Sequence, residues 1–160
     1  MNITLKIIII GIGATLIMDI WTYLLRLFNI KSLDYRFVGR WLGYITKGTF
    51  KHDKIFNTKP YPNELIIGWI AHYLIGISFT FLLFFIYGKN WFEAPTLLPA
   101  LIIGLTTLIA PFFIMQPSFG FGIAASKLPN TNIARFKSLV THTIYGIGIY
   151  IATILLTQFL

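Results

Sequence analysis

Four long blocks of apolar residues govern what this chain can fold into. They run over about residues 5–27, 65–87, 96–115 and 133–157. Each is long enough to cross roughly 30 Å of hydrocarbon at about 1.5 Å per residue. Hydrocarbon offers the backbone no hydrogen-bond partners, so segments inside it bond internally and become helices. Only 11% of the residues are charged, where a soluble domain carries about a quarter. The expected fold is all-α, a polytopic transmembrane four-helix bundle forming one domain over residues 1–160.

The net charge of +8 could suggest nucleic acid, but its placement points to topology instead. Of the thirteen basic residues, eight lie in or beside the connection at 28–63: Arg26, Lys31, Arg36, Arg40, Lys47, Lys51, Lys54 and Lys59. Lys127, Arg135 and Lys137 border the third connection, and Lys6 and Lys89 alone fall on the opposite side. Eleven against two is a strong positive-inside bias, which predicts cytoplasmic basic loops, both termini outside and no nucleic-acid partner. With no cysteine, disulfides, thiolate chemistry and iron–sulfur ligation are excluded. The first block is longer than a signal h-region, contains Asp19 and lacks a small-x-small cleavage motif, so it is expected to remain as an anchor.

Within the first connection, DYRFVGRWLGYI puts Phe37, Val38, Trp41, Leu42 and Ile45 on one helical face and Arg36 and Arg40 on another. Ser32 or Asp34 can cap its start, and the pattern predicts a short amphipathic helix in the cytoplasmic interface. The stretch that follows is polar and broken by proline, so His52 and Asp53 are expected in a solvated loop. Trp91 and Phe92 suit the outer interface. The Gly-, Ala- and Ser-rich third connection reads as a flexible or re-entrant segment, since no strand precedes its Gly-x-Gly. Glu64 and Arg135, at the borders of spans two and four, are candidates for an ion pair.

At a spacing of three to four residues, every span carries a small or polar stripe. These are Gly11, Thr15, Asp19 and Tyr23; Glu64, Gly68, His72, Gly76 and Thr80; Ala100, Gly104, Thr107, Pro111 and Met115; and Ser138, His142, Gly146 and Tyr150. Lipid gives helices no hydrophobic drive to associate, so small residues mark the faces where backbones approach. The frame His-x-x-x-Gly-Ile occurs at His72 and again at His142, and Ile-Ile-Gly occurs at both Ile9 and Ile102. Two parallel two-helix repeats would produce that pattern.

Asp19, His72 and His142 each fall roughly 8 to 12 Å inside the cytoplasmic boundary by residue count. Gln116 could reach the lower edge of that layer. A charged Asp within a span costs about 2.5 to 3.5 kcal/mol to insert, so it needs a partner, and intramembrane ionisable groups usually mark function. Either His, or Thr15, Thr22 or Tyr23, could serve. Three functions compete. The first is a proton- or ion-linked conduit or carrier, acting as a homo-oligomer on an unknown small molecule or ion. The second is a redox or metal module, with His72 and His142 as axial ligands of haem b, or joined by Asp19 in a two-His-one-carboxylate metal site. The third is a non-catalytic protein that docks a partner or anionic lipid. No enzyme signature stands out.

The motifs GIGATLIMD (11–19), GRWLG (39–43), GWIAHYLIG (68–76), PTLLPA (95–100) and APFFIMQPSFGFGIAAS (110–126), with the stretch 129–150, carry a resemblance over nearly the whole chain. The sequence resembles a family of small bacterial multi-pass proteins catalogued as domain of unknown function twenty-nine thirty-eight. The resemblance implies four spans in the bacterial cytoplasmic membrane, and it implies no activity.

Overall fold

The computed structural model describes residues 1–159, with side chains as far as Gln158. Five helices account for its regular structure: α1 (Ile3–Leu27), α2 (Tyr35–Ile45), α3 (Glu64–Glu93), α4 (Leu97–Thr106) and α5 (Thr131–Phe159). No strand occurs among the described residues. Four segments are long and apolar enough to cross a membrane: Ile3–Leu27, Glu64–Glu93, Leu97–Ser118 and Thr131–Gln158. Their outer faces are apolar, as membrane-spanning helices require. Phe85 is 76% exposed and Leu98 67%, which water would penalise and hydrocarbon does not.

Two spans depart from the expected regular helices. Helix α3 runs past residue 87, yet Gly88 sits at φ 71° and ψ −179°, a conformation open essentially to glycine alone. The chain breaks there and takes one further helical stretch to Glu93, where Lys89 pairs with Glu93 at 3.0 Å. Trp91 and Phe92 are 7% and 1% exposed, so they fill the apolar core rather than an outer interface. The third span changes helix type. After α4 it winds as a π-helix over Pro111–Met115 and returns to α over Gln116–Ser118. Pro111 has no N–H to donate, and the π-turn that it opens closes with Gln116 N donating to Pro111 O.

The chain divides into two compact units. The first comprises Met1–Lys31, Tyr73–Thr107 and the described residues from Leu139 onward; the second comprises Ser32–His72 and Leu108–Ser138. In the first unit four helices meet around one apolar core, with Ile7 and Ile10 from α1, Leu83 from α3, Ile103 from α4 and Tyr145 and Ile149 from α5. Its helices touch at glycines. A Cβ on Gly11 would lie 2.7 Å from Ile77 Cα, one on Gly104 2.7 Å from Gly146 Cα, and one on Gly146 2.7 Å from Ala100 O. A Cβ on Gly76 would meet Thr15 Oγ1. Backbones approach this closely only where a residue carries no Cβ.

The second unit is held by polar groups. Asp34 caps α2, its Oδ1 accepting from Arg36 N at 3.0 Å. The helix then lies so close to the start of α3 that a Cβ on Gly39 would meet Glu64 O, and one on Gly68 would meet Tyr35 O. Arg36 stays exposed, whereas Arg40 turns inward and is 6% exposed. Its Nε and Nη2 donate to the two Glu64 carboxylate oxygens, each at 2.8 Å, and Nη1 donates to Ile55 O and Thr58 O at 3.0 and 2.8 Å. Glu64 therefore pairs with Arg40 and not with Arg135, whose Nε donates to Ala124 O at 2.8 Å. The third connection is ordered. His52 N donates to Ser118 O at 2.8 Å and Ile55 N to Phe119 O at 3.0 Å. Phe119, fully buried, packs with Val38 and Ile55.

Candidate functional site: polar groups carried by the spans

The antiparallel contact of α1 with α3 steps one helical turn at a time. Gly11 lies against Ile77 and Thr80, and Thr15 lies against Gly76. The next turn of α1 presents Asp19, and there Tyr73 donates its hydroxyl proton to Asp19 Oδ2 at 2.9 Å. Thr22 Oγ1 donates to the Asp19 carbonyl at 3.0 Å. A half-buried carboxylate within a span is thus held by a phenol on the facing helix. Tyr73 was not singled out by the sequence. Its signal was its position beside His72 and one turn from Gly76, where a tyrosine reads as apolar bulk although its tip is a donor.

His142 sits on the turn of α5 before Gly146, where the glycine contact brings α4 close. Its Nδ1 is 2.5 Å from Thr107 Oγ1, which is also 2.5 Å from Gly104 O. A threonine hydroxyl has one proton. That proton can serve the Gly104 carbonyl or Nδ1, and the imidazole tautomer decides between them. Tyr145 completes the polar seam, donating to Gly76 O at 2.5 Å, with its oxygen 3.3 Å from Thr80 Oγ1.

His72 and Gln116 belong to the second unit. His72 Nε2 lies 3.0 Å from the Tyr35 hydroxyl, and the two rings stack at 4.1 Å. Gln116 is 8% exposed. Asp19 and His142 share the first unit, each held by a different hydroxyl.

His52 is a functional-type residue that the solvated-loop expectation misplaced. It is buried, with Nδ1 3.1 Å from Thr58 Oγ1 and its ring edge-on to Tyr44. Burial first, and then the Arg40 charge, push its pKa below the ordinary histidine value. Arg40 moves the other way. Its hydrogen bond to Glu64 raises its pKa against the opposing effect of burial, and the Glu64 charge adds to the rise.

Neither cofactor reading fits these residues. A haem ring needs open space beside the ligating histidines, yet the spaces at Gly76 and Gly146 are filled by Thr15 Oγ1 and by Ala100 O. Among the described residues no three His, Cys, Asp or Glu side chains are grouped so that they could hold a metal ion.

Fold and polar groups together define a class: an all-helical chain with four helices long and apolar enough to cross a membrane, with hydroxyl-held acid and imidazole groups inside them. Within that class, the chain belongs to the family described as Protein of unknown function (DUF2938), whose model matches residues 8–156. No curated protein and no solved structure matches it.

Proposed function

We propose that this chain is a small proton- or ion-linked conduit or carrier of the bacterial cytoplasmic membrane, working as a homo-oligomer. Asp19 is its titrating group, and His142 and His72 are further proton-accepting groups. The single observation that carries the proposal is the Asp19–Tyr73 pair. An ionisable side chain within a span costs about 2.5 to 3.5 kcal/mol, and a merely structural role could be filled by an uncharged residue. The carboxylate instead accepts from the Tyr73 hydroxyl, a partner that can donate to the carboxylate and accept from the carboxylic acid as Asp19 changes state. The positive-inside count favours basic loops in the cytoplasm and termini outside. Four spans make a narrow bundle, which favours more than one copy around a path.

The test is proton flux into liposomes that hold the purified chain and entrapped pyranine, driven by a potassium gradient with valinomycin. Wild type is expected to acidify or alkalinise the lumen with the sign of the imposed potential. Asp19→Asn keeps an oxygen for Tyr73 and loses the titration, so its flux is expected to fall at least tenfold. Full flux in Asp19→Asn sinks the proposal.

A further inference from the structure

We infer that the first connection presents a built surface for anionic phospholipid headgroups, formed by an aromatic ladder flanked by Lys51 and Lys54. Two polar contacts set its depth. Arg40 is bonded to Glu64, the first residue of the second span, and His52 N to the carbonyl of Ser118, the last residue of the third. The connection is thereby pinned at two span ends, where hydrocarbon gives way to headgroups. The inference rests on the helices crossing a bilayer and is independent of proton coupling.

Across this pinned segment runs a continuous series of rings. Phe50 meets Trp41 edge-on at 5.5 Å, Trp41 meets Phe119 at 5.9 Å, Phe119 meets Phe121 at 5.7 Å, and Phe121 stacks on Phe56 at 6.2 Å. The interior of the ladder is buried at Phe119, but both ends are open, with Phe50 53% and Phe56 49% exposed. Trp41 fixes the Phe50 end by donating its Nε1 proton to Phe50 O at 2.8 Å. Aromatic rings half in and half out of an apolar layer are the side chains that settle at a bilayer interface.

Charge decides which lipid. Residues 28–63 hold seven basic side chains against two acidic ones. Arg40 is spent on Glu64 and Arg36 lies 3.8 Å from Asp34. Among the described residues, Lys51 and Lys54 have no salt-bridge partner, and each is next in sequence or nearly so to an exposed ladder end. Asp53 lies between them, so the pair keeps a net positive charge of one. An exposed aromatic–lysine surface at headgroup depth is complementary to an anionic headgroup, each lysine near the surface strengthening the attraction about fivefold.

The experiment is native mass spectrometry of the full chain equilibrated with equimolar phosphatidylglycerol and phosphatidylcholine in detergent micelles. Wild type is expected to retain phosphatidylglycerol preferentially. Lys51→Gln with Lys54→Gln should cut that preference at least tenfold, Lys51→Arg with Lys54→Arg should keep it, and Lys89→Gln, a lysine outside this surface, should leave it unchanged. No preference in wild type overturns the inference, and so does a preference that survives the double glutamine variant. Equal loss in Lys89→Gln overturns it too, because the selectivity would then follow total charge.

Discussion

The two units of this chain solve the same problem, bringing helices together, and the second adds a buried ion pair to the glycine contacts that both of them use. In the first, contact is made by removing atoms: Gly11, Gly76, Gly104 and Gly146 let backbones meet, and hydroxyls bond the nearest carbonyl. In the second, Gly39 and Gly68 also admit a close approach, and charge is added to it: Arg40 bonds one carboxylate and two carbonyls. The first scheme depends on fit and tolerates no added volume. The second also depends on pairing and tolerates no unmatched partner.

The largest break should come from splitting that pair. Arg40→Ala leaves Glu64 with its carboxylate nearly buried and uncompensated, a cost of about 3 to 5 kcal/mol. Hydrogen exchange on the protein in nanodiscs should show lost amide protection across residues 32–72 and 108–138, with the first unit's glycine contacts still protected. The double change Arg40→Met with Glu64→Leu should recover most of it. Equal loss in both units would mean that they unfold as one, and the contrast drawn above would fail.

Gly104→Ala attacks the other scheme. Its Cβ would fall 2.6 Å from His142 O and 2.7 Å from Gly146 Cα, and neither is a side chain that can swing away. Overpacking of this kind costs about 1 to 3 kcal/mol. Protection is expected to fall in α4 and α5 within the first unit, and in no other place. The same variant should disturb the His142–Thr107 hydrogen bond, visible as a shifted imidazole resonance in NMR.

The smallest effect is the pH dependence of the second unit. His52 titrates lower when folded than its ordinary value of about 6.5, so the folded state favours the neutral ring. Its contribution is present in full above that value and is lost as pH falls below it toward the folded pKa. Protection of residues 50–58 should therefore weaken as pH falls below about 6.5. His52→Gln should flatten that dependence, and a protein whose loop protection is flat already would show that His52 is not held neutral.

Much of this was legible in the residues. The four spans follow from block length, and the cap at Asp34 from its place before an amphipathic run. The failures share a cause. Arg40 finding Glu64 over 24 positions, Tyr73 finding Asp19 over 54, and His52 closing onto Ser118 are long-range pairings. A sequence advertises that a polar group needs a partner without saying which one it has. The ordering of the third connection was hidden for a further reason: the bonds that dock it, His52 N to Ser118 O and Ile55 N to Phe119 O, join backbone groups that a side-chain pattern does not register. Gly88 left no pattern either, because apolar periodicity does not register a single dihedral.

The reciprocal glycines constrain how this chain can drift. Where two side chains collide, a second substitution that shrinks one of them can restore the fit. At Gly39, Gly68, Gly104 and Gly146 the facing atoms include the carbonyls of Glu64, Tyr35, His142 and Ala100, and a carbonyl is present whatever the genetic code puts there. No second-site substitution can make the obstacle smaller. Helix separation at these points is consequently closed to compensatory change, and variation must be accommodated on the lipid-facing sides instead.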